Sequence, residues 1–215
     1  MSDILFHSYW RSSAAYRVRI ALNLKGLDYE EVDHDLRTDA HKDPHYTSIA
    51  PAGLVPAVEH DGHAYVQSLA ILEWLEERWP EPALLPRGLD QRAIVRGMAL
   101  TIAADVHPLN NLRILKYLKG ELQQPQERVD AWIAHWIHEG FAALEVLIGR
   151  HGDGFAFGAA PTIADCFLVP QVFNAERFNV DLSAFPKIRA VAEKARALPA
   201  FAAAHPDRQP GAATA

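Results

Sequence analysis

The sequence predicts an α/β first part followed by an all-α second part. Two observations carry this: short strand-like runs alternate with helical spacing only before about residue 90, and long helical patterns take over after Pro86-Arg87-Gly88. At 215 residues the chain is long enough for one large domain or two small ones, and either buries an adequate core. With 49% hydrophobic residues, 22% charged residues and a formal charge of -6, the composition is ordinary for a soluble globular enzyme and unlike a nucleic-acid-coating protein. No apolar run approaches the roughly 18 residues of a membrane span. Met1-Ser2-Asp3-Ile4 lacks the basic and apolar regions of a signal peptide. The expectation is a cytoplasmic protein that binds neither membrane nor nucleic acid.

Taken in order, Ile4 to Tyr9 reads as a short strand. Ala14 to Gly26 follows as a helix, with Val18, Ala21, Leu22 and Leu24 near helical spacing and Gly26 as its C-terminal cap. Tyr29 to His34 reads as a second strand, so the chain opens with a βαβ unit, which predicts parallel pairing. Arg37 to Ile49 is less regular and rich in histidine. Val55 to Glu59 and His63 to Val66 flank His60-Asp61-Gly62, where Asp-Gly favours a tight hairpin turn. Ser68 to Trp79 then reads as an amphipathic helix ended by Pro80 and Pro82. The order βαβ then ββα is thioredoxin-like.

Beyond residue 90 the sequence reads as helices over Gln91–Leu118, Gln126–Arg150, Ile163–Phe178 and Pro186–Leu198, with no further strand. Pro108 should kink the first of these by removing a backbone hydrogen bond. Thr162 is a good N-cap with Asp165 three residues on, a relative of the capping box that reads as a folding signal. The tail from His205 to Ala215 reads as irregular. The expected domains are 1–82, α/β and thioredoxin-like, and 88–215, all-α. Cys166 is the sole cysteine and lies in an apolar helical stretch, so it reads as a buried small hydrophobe. If thiol chemistry happens here, the thiol arrives with a ligand.

A thioredoxin-like first part without a Cys-x-x-Cys pair, joined to an all-helical second part, resembles the cytosolic glutathione transferases. Tyr9-Trp10-Arg11-Ser12-Ser13-Ala14 through Leu22 resembles the Ser-Ser-Cys segment of the zeta class, the maleylacetoacetate isomerase family. So do Val66 through Glu73, His107-Pro108-Leu109-Asn110-Asn111-Leu112-Arg113, and Val169 through Phe178. The resemblance runs from the first strand almost to the tail. It departs at Ala14, where the family usually has Cys, and at Ala52-Gly53-Leu54, which lacks a Gln often found there.

The resemblance implies glutathione as cofactor and a cis-enone diketo acid as substrate. Glutathione demands that a site hold two carboxylates and favour thiolate over thiol. A hydroxyl and backbone N–H groups at a helix start, where the dipole is positive, do the latter, and Ser12 and Ser13 lie at such a start. Each serine alone reads equally well as an N-cap; with Arg11 alongside and the other segments present, catalysis is the better reading for Ser12. With Ala14 lacking a hydroxyl or thiol, activation falls to Ser12, Ser13 and backbone N–H groups. Pro56 opening a strand in this fold is expected to be cis, exposing the Val55 backbone to pair with the cysteinyl part of glutathione. Gln67 and Ser68 at a helix N-terminus suit the γ-glutamyl carboxylate, and Ser68 can be an N-cap as well. By resemblance His41 lies near the glycyl end, although a solvated loop histidine reads equally well.

The substrate's two carboxylates call for guanidinium forks, and Arg11, Arg113 and Arg177 are the candidates. Arg17 and Arg19 read as serving the surface of the first helix or an interface. His107 is either a cofactor contact or a packing histidine, and Asn111, near Arg113, is the better candidate to touch substrate or glutathione. His135 and His138, spaced i and i+3 without a third ligand, do not read as a metal site, so no metal is expected. His41 with His45 and His60 with His63 read as surface residues.

The family implies glutathione-dependent isomerisation of maleylacetoacetate to fumarylacetoacetate, and it implies a homodimer. The thiolate would add to the cis double bond, and rotation followed by elimination would give the trans product. Maleylpyruvate isomerisation or a general zeta-class transferase activity is the alternative within the class. A catalytically silent binding module is the rival outside it, and a disulfide reductase is disfavoured because Ala14 removes the thiol.

Overall fold

The computed structural model describes residues 3–214. The chain folds as two compact units, one made of the residues up to Leu84 together with those from Ala197 onward, the other of Leu85–Arg196. In the first unit the elements are β1 (Leu5–Ser8), α1 (Ser13–Leu24), β2 (Glu30–Asp33), α2 (Pro44–Ile49), β3 (Ala57–His60), β4 (His63–Val66) and α3 (Ser68–Arg78). The strands form one sheet in the order β2-β1-β3-β4, with β1 and β2 parallel and the other neighbours antiparallel. This is the thioredoxin-like arrangement that the order of elements predicts. Asp61 and Gly62, at φ 50° and 74°, make the tight turn between β3 and β4.

Helix α1 shows why its ends fall where they do. Ser12 is its N-cap, accepting from the Ala15 N–H at 3.2 Å. At the other end Gly26, at φ +64°, lets Leu27 donate back to the Leu22 carbonyl and Gly26 to that of Asn23, a Schellman closure. Its buried face carries Tyr16, Val18, Ile20 and Leu22, but also Arg17 and Arg19, which are only 2% and 0% exposed. The expectation that these arginines serve a helix surface is therefore corrected. Arg19 donates to Ser8, to Glu31 at 2.7 Å and to the Ala204 carbonyl. Lys25, also buried, donates to Glu76 at 2.8 Å and to the carbonyls of Trp79 and Pro82. One ammonium thus satisfies three acceptors and fixes the end of α3 to α1.

The histidine-rich stretch after β2 is more ordered than its composition suggests. A 3₁₀ turn spans Ala40–Lys42, and α2 begins at Pro44 with Asp43 capping through the His45 N–H. After Leu198 the chain forms a further helix for which no element was expected, and the tail from His205, expected to be irregular, contains two short turns. α9 (Pro199–Ala204) follows a break and packs on α1, and 3₁₀ turns follow at Pro206–Arg208 and Pro210–Thr214. Proline opens each of these short elements, where its missing N–H costs nothing.

The second unit holds α4 (Leu89–Leu100), α5 (Leu112–Gly120), α6 (Gln126–His151), α7 (Ile163–Arg177) and α8 (Pro186–Arg196). Among the described residues no strand follows β4. Helix α7 is buried almost all round from Ile163 to Val172, so it is the core about which the others pack. Thr162 and Asp165 form the capping box at its start, and Cys166 is buried within it as expected. The single kinked helix expected over Gln91–Leu118 is instead broken. α4 passes into a π-helical turn at Thr101–Val106, a 3₁₀ turn runs over Pro108–Asn110, and α5 starts afresh after Asn111. Pro108 cannot continue a helical ladder, and the wide turn before it lets His107 donate to Ile102 at 2.8 Å. Gly140 on α6 makes room for this turn, since a Cβ there would run into Val106.

Candidate active site

In the first unit the sheet register gathers three of the expected positions. His7 faces Ala57, and Ala57 faces Val66, so one row of residues crosses β1, β3 and β4. From that row β1 runs on to Ser12, β3 runs back to Val55 and β4 runs on to Gln67. All three therefore emerge at one edge of the sheet.

At that edge each position offers hydrogen-bonding groups. The Ser12 hydroxyl accepts from Ala15, while the N–H groups of Ser13 and Ala14 meet no protein acceptor among the described residues. They are helix-start donors with the positive end of α1 behind them. The Val55-Pro56 bond is cis, and the Val55 N–H and C=O are unpaired among the described residues. Gln67 stands exposed at φ +70° just before α3, and no side chain caps that helix. A non-glycine residue held at positive φ is a conformation that clusters at ligand clamps. Ser68, only 6% exposed, accepts from the Arg17 guanidinium at 3.1 Å. Arg11 is half-buried, its guanidinium 5.3 Å from the centre of the Trp10 ring.

His41 is buried, not solvated. Its carbonyl lies against Gly53, at φ +55°, where a Cβ would come within 3.0 Å of it. Lys42 donates to the Gly53 carbonyl at 3.2 Å, which ties the 3₁₀ turn to the loop leading into Val55. His60, expected at the surface, is also buried and bonds the Asp3 backbone at 3.0 Å.

In the second unit the candidates lie around the break between α4 and α5. His107 is half-buried, ending the π-helical turn. Asn111 is the N-cap of α5, accepting from the Arg113 N–H at 3.1 Å, and the Arg113 side chain is exposed. Arg177 ends α7, exposed, with its guanidinium 4.5 Å from the centre of the Phe178 ring. Among the described residues no cluster of His, Cys, Asp and Glu could hold a metal ion, and no helix is long and apolar enough to cross a membrane.

The glutathione S-transferase N-terminal domain family matches residues 11–78, and the C-terminal domain family matches residues 126–202. The chain is 48% identical over 207 residues to a maleylacetoacetate isomerase of Pseudomonas aeruginosa, covering 95% of this chain and 96% of that one. The chain belongs to the zeta-class glutathione transferase and maleylacetoacetate isomerase family. Its structure is similar to that of a bacterial zeta-class maleylpyruvate isomerase in holo form, with TM-score 0.93, 43% identity and coverage of 96% of this chain and 98% of that one. It is also similar to a maleylacetoacetate isomerase from Anaeromyxobacter dehalogenans with bound GSH, with TM-score 0.87, 44% identity and coverage of 98% and 99%.

For this zeta-class chain the residue that sequence reasoning passed over is Arg17. It lies beneath Ser68 with its cation fully buried, and burial pushes its pKa down to about 9, which still leaves it charged at neutral pH. A buried cation under the start of α3 adds to the helix dipole and raises the positive potential offered to a carboxylate. The signal was available: Ser13, Arg17 and Ala21 fall at i, i+4 and i+8, so Arg17 shares a helix face with a site serine and a core alanine.

Proposed function

We propose that the chain catalyses glutathione-dependent cis-trans isomerisation of maleylacetoacetate to fumarylacetoacetate, acting in the cytoplasm as a homodimer. The observation that carries this reading is the convergence of the Ser12-Ser13 helix start, the unpaired Val55 backbone and the Ser68-Arg17 pair at one edge of the sheet. Those groups fit the tripeptide. Val55 offers one donor and one acceptor, as a strand edge does, to the cysteinyl unit. Gln67, Ser68 and the uncapped start of α3 take the γ-glutamyl carboxylate, with Arg17 underneath. His41 and Lys42, beside Gly53, take the glycyl end. When bound, glutathione supplies a thiol that can add reversibly to an activated double bond.

The protein's part is to hold that thiol as thiolate and to bind the dicarboxylate. Ser12 donates its hydroxyl hydrogen towards the sulfur while still accepting from Ala15, and Ser13 and Ala14 supply N–H groups. Arg11, Arg113 and Arg177, with Asn111, hold the substrate carboxylates and its developing negative charge. His107 assists at the cofactor. On this reading residues 1–82 carry most of the glutathione contacts and 88–215 most of the substrate contacts.

Maleylpyruvate is the second reading. It is favoured by the holo maleylpyruvate isomerase that matches over 96% of this chain, and it asks the same arginines for the same work. Purified protein given glutathione and each diketo acid separates the readings by loss of the cis-dienone absorbance. Faster turnover of maleylacetoacetate is expected, and no turnover of either acid overturns the assignment.

A further inference from the structure

Helix α5, which begins just past Asn111, has little packing of its own to hold it. It is nine residues long, and Leu115 and Leu118 are its buried residues, while Leu112, Arg113, Lys116, Tyr117 and Lys119 are exposed. A helix that short is marginal in water without tertiary support. The break before it also interrupts the backbone ladder that would have tied it to α4.

Two links from successive residues of α6 reach successive residues of the turn before α5. The Trp132 indole N–H donates to the Leu109 carbonyl at 2.9 Å, and the amide of the buried Asn110 donates to the Ile133 carbonyl at 3.5 Å. The first is the tighter, and it answers a need that the break creates. In an unbroken helix the Leu109 carbonyl would accept from the N–H four residues on, that of Arg113. That N–H goes instead to the Asn111 side chain, at 3.1 Å. The Leu109 carbonyl meets no backbone N–H among the described residues, and the indole takes the place of the missing donor. Trp136, one turn along α6, meets the Trp132 ring edge-on with centres 5.7 Å apart. Its own indole N–H is buried and donates to no group among the described residues.

We propose that Trp132 is a positioning residue for the substrate site: by occupying the Leu109 carbonyl it leaves the Arg113 N–H to the Asn111 cap, and so sets where Asn111 and Arg113 stand. Without the indole N–H, the Leu109 carbonyl competes with Asn111 for the Arg113 N–H, and both side chains shift. This rests on the proposed function, which gives Asn111 and Arg113 to the substrate.

The test uses the full chain and two matched variants. Trp132→Phe keeps an aromatic ring and removes the N–H, while Trp136→Phe makes the same change where no hydrogen bond is lost. Both positions are half-buried, so both can take the smaller ring. In Trp132→Phe, KM for the diketo acid is expected to rise about fivefold, the worth of one hydrogen bond, more than kcat falls, with KM for glutathione unchanged. Hydrogen exchange followed by NMR should show the Arg113 backbone N–H exchanging faster than in wild type. Trp136→Phe should match wild type in KM and in that exchange rate. An equal rise in KM in both variants would trace the effect to ring volume, and that result, or unchanged KM or unchanged Arg113 exchange in Trp132→Phe, overturns the proposal. If the wild-type chain turns over neither diketo acid, the proposed function falls instead, and exchange at Arg113 still decides whether Trp132 holds the cap.

Discussion

The two units hold their charged groups in opposite ways. In the first, Arg17, Arg19 and Lys25 are buried and each is locked to named acceptors or hydroxyls. In the second, Arg113 and Arg177 are exposed at helix ends, and Asp165 is the charged residue that is fully buried. A cofactor that is the same in every turnover suits a rigid cradle fixed by backbone register and buried pairs. A substrate that must rotate about a bond suits long, exposed side chains at helix ends. If this contrast is real, damage to the first unit should show as lost stability or lost glutathione binding, and damage to the second as a changed KM for the diketo acid.

The largest effect is expected at Lys25. Lys25→Ala leaves the Glu76 carboxylate buried without its cation, a defect that costs about 3–5 kcal/mol. Glu76 also accepts from the Leu84 N–H at 2.9 Å, so the damage reaches the end of the first unit. A urea unfolding curve measures it. A cost under about 1 kcal/mol, the worth of a surface pair, would remove the contrast in rigidity.

Asp165 tests the exception. Its carboxylate accepts from the N–H groups of Ala156 and Thr162 and from the Thr162 hydroxyl, at 2.7 to 3.0 Å. Asp165→Ala strands three buried donors, at about 1 kcal/mol each. Burial pushes the folded pKa up to about 6, against the weaker pull of those donors, while an unfolded aspartate titrates near 4. Because the folded value is the higher, the folded chain takes up this proton first, and the group's contribution to stability is lost as pH rises from about 4 to about 6. The stability gap between wild type and Asp165→Ala should therefore widen as the solution is acidified through that window. A gap that narrows would show that the donors, not burial, set this pKa.

The sequence context of Ser12 left two roles open. As N-cap it supports α1, and in the proposed function its hydroxyl also donates to the thiol. Ser12→Gly retains most of the cap energy, within a few tenths of a kcal/mol, while Ser12→Ala loses about 1. Both remove the hydroxyl, so both should slow turnover about a hundredfold, or about 2.7 kcal/mol of barrier. Unchanged turnover in Ser12→Gly would reduce Ser12 to a cap.

What could be read from the sequence follows the same division. β1, α1, the hairpin and α3 were legible because alternation, a Ser N-cap, Asp-Gly and Gly26 are local signals, and the structure places them within a residue or two. The cis Val55-Pro56 bond was legible only through the resemblance. Arg19 was not, because a charged residue normally marks the solvent face of a helix and only tertiary partners reveal that it is buried; for Arg17 the one local signal, a helix face shared with Ser13 and Ala21, was outweighed by that same expectation. The hydrogen bond from Trp132 to Leu109 joins residues 23 apart on separate elements, and no local pattern encodes such a contact. The break at Val106 to Pro108 was half legible. Pro108 announced an interruption, but whether a helix kinks or stops depends on what packs against it, here Gly140 of α6.

The smallest effect should fall on the exposed arginines. Arg113 follows the Asn111 cap, which fixes its backbone, but its guanidinium meets no partner among the described residues and stands exposed. Removing it leaves no buried group unpaired, so Arg113→Ala should unfold as wild type does, within about 0.5 kcal/mol. If the guanidinium holds a substrate carboxylate, KM for the diketo acid should rise about tenfold, about 1.4 kcal/mol, while KM for glutathione stays unchanged. Arg113→Lys should recover only part of this, because an ammonium cannot grip a carboxylate with two parallel bonds. Arg177 rests on the Phe178 ring, so the same substitutions there should raise KM less if that stack competes with substrate. A rise in KM for glutathione in Arg113→Ala would place this side chain in the cofactor's service, and the division of labour between a buried cradle and an exposed set of arginines would have to be redrawn.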